Sequence, residues 1–192
     1  MATVAAKPMT AEEFFEWVQR PENRDRKFEL EEGEIVEMSR PGERHGAVCG
    51  NVTGILWTYT VAKKKGYVCS NDTGLILDRD PDTLRGPDVC LYTEAGRYDH
   101  LKVEFTDKLP NLIVEVLSPS DRIGKIMKRV ALFQARGVPM VWLVDPEGRN
   151  VTVCRPGQST LVLEETDELT GMDVLPDFRC RVADLFFLPG EA

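Results

Sequence analysis

Apolar residues recur along the chain with two different periods, and the order in which those periods alternate predicts a mixed α/β architecture. Thr10, with Glu13 three residues on, forms a capping box ahead of Phe14, Phe15, Trp17 and Val18, so Thr10 to Arg20 is expected to be a short helix that Pro21 ends. The alternating runs Phe28 to Leu30 and Glu34 to Met38 flank Glu31-Glu32-Gly33 and predict a hairpin. Val48, Val52, Ile55, Leu56, Tyr59 and Val61 stand at helical spacing between His45 and Lys65, with Gly66 as the expected stop. Strand-like runs follow at 67–69, 74–77 and 89–92, the last introduced by the turn dipeptide Gly86-Pro87; the polar stretch 93–109 reads as a connection.

The second half is more regular. Residues 112–117 are almost continuously apolar, the pattern of a strand buried on both faces. Ser118 to Asp121 supplies candidate N-caps, and Ile123, Ile126, Met127, Val130 and Phe133 mark the apolar side of a helix over about 121–136. A second buried strand at 140–144 and a turn at 145–148 lead into 150–154. Strand, helix and strand within so short a span predict a parallel crossover, with 89–92, 112–117 and 140–144 in the middle of one mixed sheet flanked by helices. The remainder, 161–163 and 182–187, reads as a sheet extension and a closing segment.

A length of 192 residues suits one domain, expected over 1–192 with its core at about 10–187. The 24 Lys and Arg against 32 Asp and Glu leave a formal net charge of -8, which argues against a general nucleic-acid coat. Local charge differs from the total. No acid occurs between Arg44 and Asn71 or between Arg122 and Val144, and the second stretch carries Arg122, Lys125, Lys128, Arg129 and Arg136. The five cysteines are odd in number and none is in a CxxC pair, so they read as reduced thiols. With no apolar signal core and no run long enough to span a membrane, the sequence points to a soluble cytoplasmic protein without a membrane partner.

One polar residue interrupts the apolar pattern. Glu115 lies among aliphatic neighbours, where an uncompensated carboxylate would cost several kcal/mol. Asp88 opens the preceding strand, and two adjacent strands can bring the two carboxylates to the same end of the sheet as a hard oxygen site for Mg²⁺ or Mn²⁺. The plainer alternative is a turn-capping Asp88 and a Glu115 that meets solvent or a lysine. A Pro-Asp, a strand, a buried strand bearing Glu and then a basic helix resemble the PD-(D/E)xK nuclease core.

Three blocks sharpen that likeness: Gly86-Pro87-Asp88-Val89, then Pro110 to Asp121, then Ala135 to Pro146, preceded by Phe28 to Ser39 and His45. Together they resemble the Uma family of restriction endonucleases from about Thr10 to Phe187, most specifically in Glu115-Val116-Leu117-Ser118-Pro119-Ser120. The resemblance implies a restriction-endonuclease-like fold and Mg²⁺-dependent phosphodiester hydrolysis, with Asp88, Glu115 and the Val116 carbonyl holding the metal. It also implies a role for Glu34, the early acidic position, as a further ligand or a water-orienting group. The chain departs from the superfamily motif at Leu117, where a lysine is usual. Relatives draw that lysine from the following helix, four residues before an aromatic; four before Phe133 is Arg129, with Lys128 beside it and Lys125 a turn earlier. Arginine cannot act as a base but stabilises charge on phosphate. The order of preference for the cation is Lys128, Arg129, Lys125.

His45 and Arg122 are candidate phosphate contacts, each balanced against a capping or solvated role. No Gly-x-Ser-x-Gly, phosphate loop or Cys/His pair at zinc-ligand spacing is expected to add other chemistry. The leading expectation is a metal-dependent DNA endonuclease acting as a homodimer. Its rivals are a non-catalytic interaction module on the same fold and an enzyme for RNA or small phosphodiesters.

Overall fold

In the computed structural model residues 7–190 are described. In chain order the elements are α1 (Ala11–Val18), β1 (Lys27–Glu31), β2 (Glu34–Met38), α2 (Glu43–Lys63), β3 (Tyr67–Ser70), β4 (Leu75–Asp78), β5 (Thr83–Arg85), β6 (Val89–Tyr92), β7 (Leu112–Val116), α3 (Ile123–Ala135), β8 (Met140–Asp145), β9 (Asn150–Cys154), β10 (Leu161–Leu163), β11 (Glu168–Thr170) and β12 (Arg179–Arg181). They divide into two compact units.

One unit comprises 7–40, 74–86 and 102–108. Its antiparallel sheet has the order β2-β1-β5-β4, and Leu30, Ile76 and Leu84 bury against Ala11 and Phe14 of α1. The α1 capping box forms as the sequence predicts: Glu13 N donates to Thr10 Oγ1 at 3.2 Å and Thr10 N to Glu13 Oε2 at 2.9 Å. The β1–β2 hairpin turns at Glu32 and Gly33, both with positive φ, and a Cβ on Gly33 would stand 2.3 Å from Pro8 Cβ. Buried Glu29 is compensated within this unit, accepting hydrogen bonds from Gly86 N and Arg85 Nη1.

The other unit comprises 41–73, 87–101 and 109 onward. Its sheet has the order β10-β9-β8-β7-β6-β3, parallel only between β7 and β8, where α3 makes the predicted crossover. Alternation along the strands sends Val89, Leu91, Leu112, Val114, Val116, Met140, Trp142 and Val144 to one face, where Val48, Val52 and Leu56 of α2 cover them. Glu115 therefore points to the opposite face, on the side of α3. As expected, 89–92, 112–116 and 140–145 form the interior of the sheet.

Two local expectations are corrected, and three short strands are added. Helix α3 begins at Ile123 with Arg122 as its N-cap, because the Asp121 carboxylate accepts from Ser118 N at 2.8 Å and closes a separate turn. Helix α2 ends at Lys63, and Lys64 rather than Gly66 caps it in the left-handed conformation. Strand β5, only three residues long, and the small β11–β12 sheet carry too little periodicity to be read from sequence. No helix among the described residues is long and apolar enough to cross a membrane.

Candidate functional site

The β6–β7 register pairs Val89 with Val114, Cys90 with Ile113 and Leu91 with Leu112. Continued by one residue, it sets Asp88 across from Glu115. The two acidic residues the sequence singles out thus stand across from each other at one end of the central sheet, and each is engaged by a basic side chain, Glu115 from α3 and Asp88 from α2. Arg129 Nε donates to Glu115 Oε1 at 2.8 Å, with the two side chains 14% and 10% exposed. The guanidinium also lies 5.5 Å from the Phe133 ring centroid, a cation–π contact one helical turn along α3. Asp88 Oδ2 accepts from Val116 N at 2.8 Å and stands 3.3 Å from His45 Nε2.

Protein cations therefore compensate both acids, as burial demands. On the α3 side it is Arg129 that reaches the acid; Lys128, placed first on sequence grounds, and Lys125 both project into solvent, as does Arg122. The reason is helical geometry: 129 shares the buried side of α3 with Val130 and Phe133, whereas 125 and 128 fall outside it. Glu34 is exposed on β2 of the other unit.

His45 sits in the first turn of α2, and its other ring nitrogen, Nδ1, is 3.5 Å from Cys49 Sγ. The hydrogen bond to Asp88, followed by that to Cys49, pushes the His45 pKa up to about 10. At neutral pH His45 is thus an imidazolium, a donor toward anions rather than a proton acceptor. Donor atoms of His45, Cys49 and Asp88 lie within 4.8 Å of one another. This corrects the expectation that no Cys/His pair has ligand spacing. The signal was present as an i,i+4 pair, which places both side chains on one face of a helix.

Buried Cys90, next along β6 on the Glu115 side, is held a neutral thiol: burial pushes its pKa well up, and the Glu115 carboxylate adds to the effect. Beside the carboxyl ends of β7 and β8 a cleft is lined by Leu117, Pro119, Ile123, Ile126 and the acids Asp121, Asp145 and Glu147. Those acids disfavour a phosphate there. The exposed cations of α3 are the more favourable path for a polyanion.

Comparison with known proteins bears on the fold and the family. The chain is similar to a crystal structure titled a putative nuclease belonging to DUF820 from Anabaena variabilis, 23% identical, with a TM-score of 0.74 over 93% of this chain and 98% of that one. Among curated proteins no sequence matches. The likeness shows that the fold is restriction-endonuclease-like, a mixed sheet flanked by helices. The Uma2 family, described as "Putative restriction endonuclease", matches residues 11–183, and the chain belongs to that family.

Proposed function

We propose that this protein is a metal-dependent endonuclease that hydrolyses DNA phosphodiester bonds, and that the two units work together as one nuclease domain. The observation that carries the reading is the cross-strand placement of Asp88 and Glu115 at one end of the central sheet, beside a part-buried cation. Family membership and the likeness to a nuclease fold support it.

Asp88, Glu115 and the Val116 carbonyl would hold Mg²⁺ or Mn²⁺, a hard-oxygen donor set that suits either ion. When bound, such an ion polarises a phosphate oxygen and lowers the pKa of an attacking water. The chain's own groups divide the remaining work. The amide of Val116 fixes the Asp88 carboxylate through its hydrogen bond. Arg129, permanently charged, stabilises negative charge that builds on the phosphate and does not take a proton. His45, already protonated, contributes a second positive group near Asp88. Arg122, Lys125 and Lys128 offer the DNA backbone a local positive surface that the net charge of -8 denies it overall. A symmetric pair of such chains would match the two strands of a duplex, so the active form is a homodimer.

The test is cleavage of supercoiled plasmid in Mg²⁺ and in Mn²⁺ beside an Asp88→Ala control. Nicked and linear products that disappear in the variant support the reading; equal cleavage by both proteins would overturn it. The second reading, a non-catalytic module, draws on Leu117 at the usual lysine position and on the Arg129 pairing with Glu115. It is favoured if neither protein cuts and neither ion raises the melting temperature.

A further inference from the structure

We propose that His45, Cys49 and Asp88 form a second metal site, selective for Zn²⁺, that shares Asp88 with the hard-cation site. The binding itself stands on geometry alone; its regulatory consequence rests on the nuclease reading above. Three donor types meet here, an imidazole, a thiol and a carboxylate, with their ligand atoms all within 4.8 Å. Two come from consecutive turns of one helix and the third from the start of β6, so the backbone already holds the set together. Tetrahedral zinc with bonds of about 2.0 to 2.3 Å separates its ligands by roughly 3.3 to 3.6 Å. The site reaches this by a contraction of about 1 Å, within the reach of side-chain rotation.

The donor set decides the ion. Thiolate and imidazole favour zinc over magnesium, whereas Asp88 with Glu115 offers oxygen alone and favours magnesium. Three protein ligands leave a fourth position for water. The hydrogen bond from Val116 N to Asp88 orients the carboxylate from outside, as outer-shell partners of zinc ligands commonly do. Binding releases to solvent the thiol proton of Cys49 and one ring proton of the His45 imidazolium, and it replaces the hydrogen bonds that His45 now makes to Cys49 and Asp88. Because Asp88 cannot serve both ions, Zn²⁺ held by His45 and Cys49 withdraws it from the Mg²⁺ set. Zinc is therefore an inhibitor that acts from inside the active site.

The experiment uses the full chain without DNA. Co²⁺, a visible reporter for tetrahedral zinc sites, is titrated into wild type, Cys49→Ser and His45→Gln, and Zn²⁺ affinity is measured by competition with a chromophoric chelator. Wild type is expected to show a thiolate-to-Co²⁺ charge-transfer band that Cys49→Ser abolishes. Each variant should lower Zn²⁺ affinity by more than the roughly 10- to 100-fold that loss of an outer-shell partner costs. No band in wild type, or a band that survives in Cys49→Ser and so arises from Cys69, Cys90, Cys154 or Cys180, overturns the site. A folded His45→Gln that keeps wild-type affinity overturns it as well, whatever happens to the Cys49 variant. A second arm measures plasmid cleavage in Mg²⁺ with added Zn²⁺. Cys49→Ser should retain cleavage and resist zinc at least tenfold better than wild type; equal sensitivity refutes the shared-Asp88 mechanism. A band without any cleavage leaves the zinc site standing and counts against the nuclease, and cleavage without a band does the reverse.

Discussion

Removing the charge of Arg129 while keeping its bulk isolates the electrostatic link between α3 and the central sheet. Arg129→Met preserves an unbranched stem against Phe133 and deletes the hydrogen bond of 2.8 Å to Glu115. Both side chains are at least five-sixths buried, so solvent screens the pair only weakly and the loss of one partner acts mainly through the desolvated carboxylate left behind. Breaking a pair of this burial costs about 3 kcal/mol. For a chain of this size that corresponds to a fall in melting temperature of roughly 6 to 12 °C.

The double variant Glu115→Gln/Arg129→Met removes the charge at both ends and should recover most of that loss. Four denaturation curves, of wild type, the two single variants and the double variant, then give the coupling energy directly. Adding Mn²⁺ to Arg129→Met should also narrow the gap to wild type, because a cation at Glu115 replaces the missing guanidinium, and should do nothing for the double variant. A coupling below about 0.5 kcal/mol would show that the pair is energetically silent and would refute the compensation argument.

In single-turnover cleavage, Arg129→Ala should slow hydrolysis by about 10² to 10³ without weakening Mn²⁺ binding, whereas Lys128→Ala and Lys125→Ala should weaken DNA binding in a salt-dependent way and leave the chemical step nearly intact. Trp142 is fully buried with an indole Nε1 that has no hydrogen-bond partner among the described residues, so Trp142→Phe should cost no more than about 1 to 2 kcal/mol, against about 3 to 5 for alanine, by thermal melts. For Asp82, burial works to raise the pKa, but the amides of Ala11 and Asp80 and the Arg79 guanidinium outweigh it and hold the carboxyl below its ordinary value. A depressed folded-state pKa supplies stability that is present above the unfolded value of about 3.9 and lost as pH falls through the folded one; Asp82→Asn should therefore flatten the stability profile below about pH 4. Light scattering should find a dimer, and a monomer at every workable concentration would count against the symmetric arrangement.

The legible parts of the fold were those whose burial repeats with a fixed period. Leu112 to Val116 and Met140 to Val144 are buried on both faces and read as apolar runs broken only by Glu115, and α3 between them carries a helical stripe, so the pattern alone predicts the crossover. Elsewhere tertiary contacts override local preference. Asp121 is a sound N-cap in isolation, yet its carboxylate is spent on Ser118 N, and the helix starts two residues later without a side-chain cap. The division of the chain into two units is harder still, since each is assembled from three separate stretches of sequence and no linker marks the boundary.

The candidate site shows why charge is harder to place than periodicity. Glu115 stood out because a carboxylate in an apolar strand demands compensation, and the register with β6 brought Asp88 alongside it. What supplies the compensation depends on which side chain a helix turns inward, and a family position counted along the sequence left Lys128 and Arg129 side by side. The geometry of α3 separates them: Val130 and Phe133 are buried, Arg129 lies beside them, and Lys128 falls on the solvent side. A buried position next to an acid favours arginine over lysine on physical grounds as well, because the guanidinium is more weakly hydrated and costs less to desolvate. The absence of a lysine at 117 is thus matched by an arginine at 129 that meets the same carboxylate from across the sheet face. Residues far apart in the chain reach the shared Asp88 in the same way: His45 and Cys49 arrive from α2, and only the covering of one sheet face by that helix makes the three a cluster.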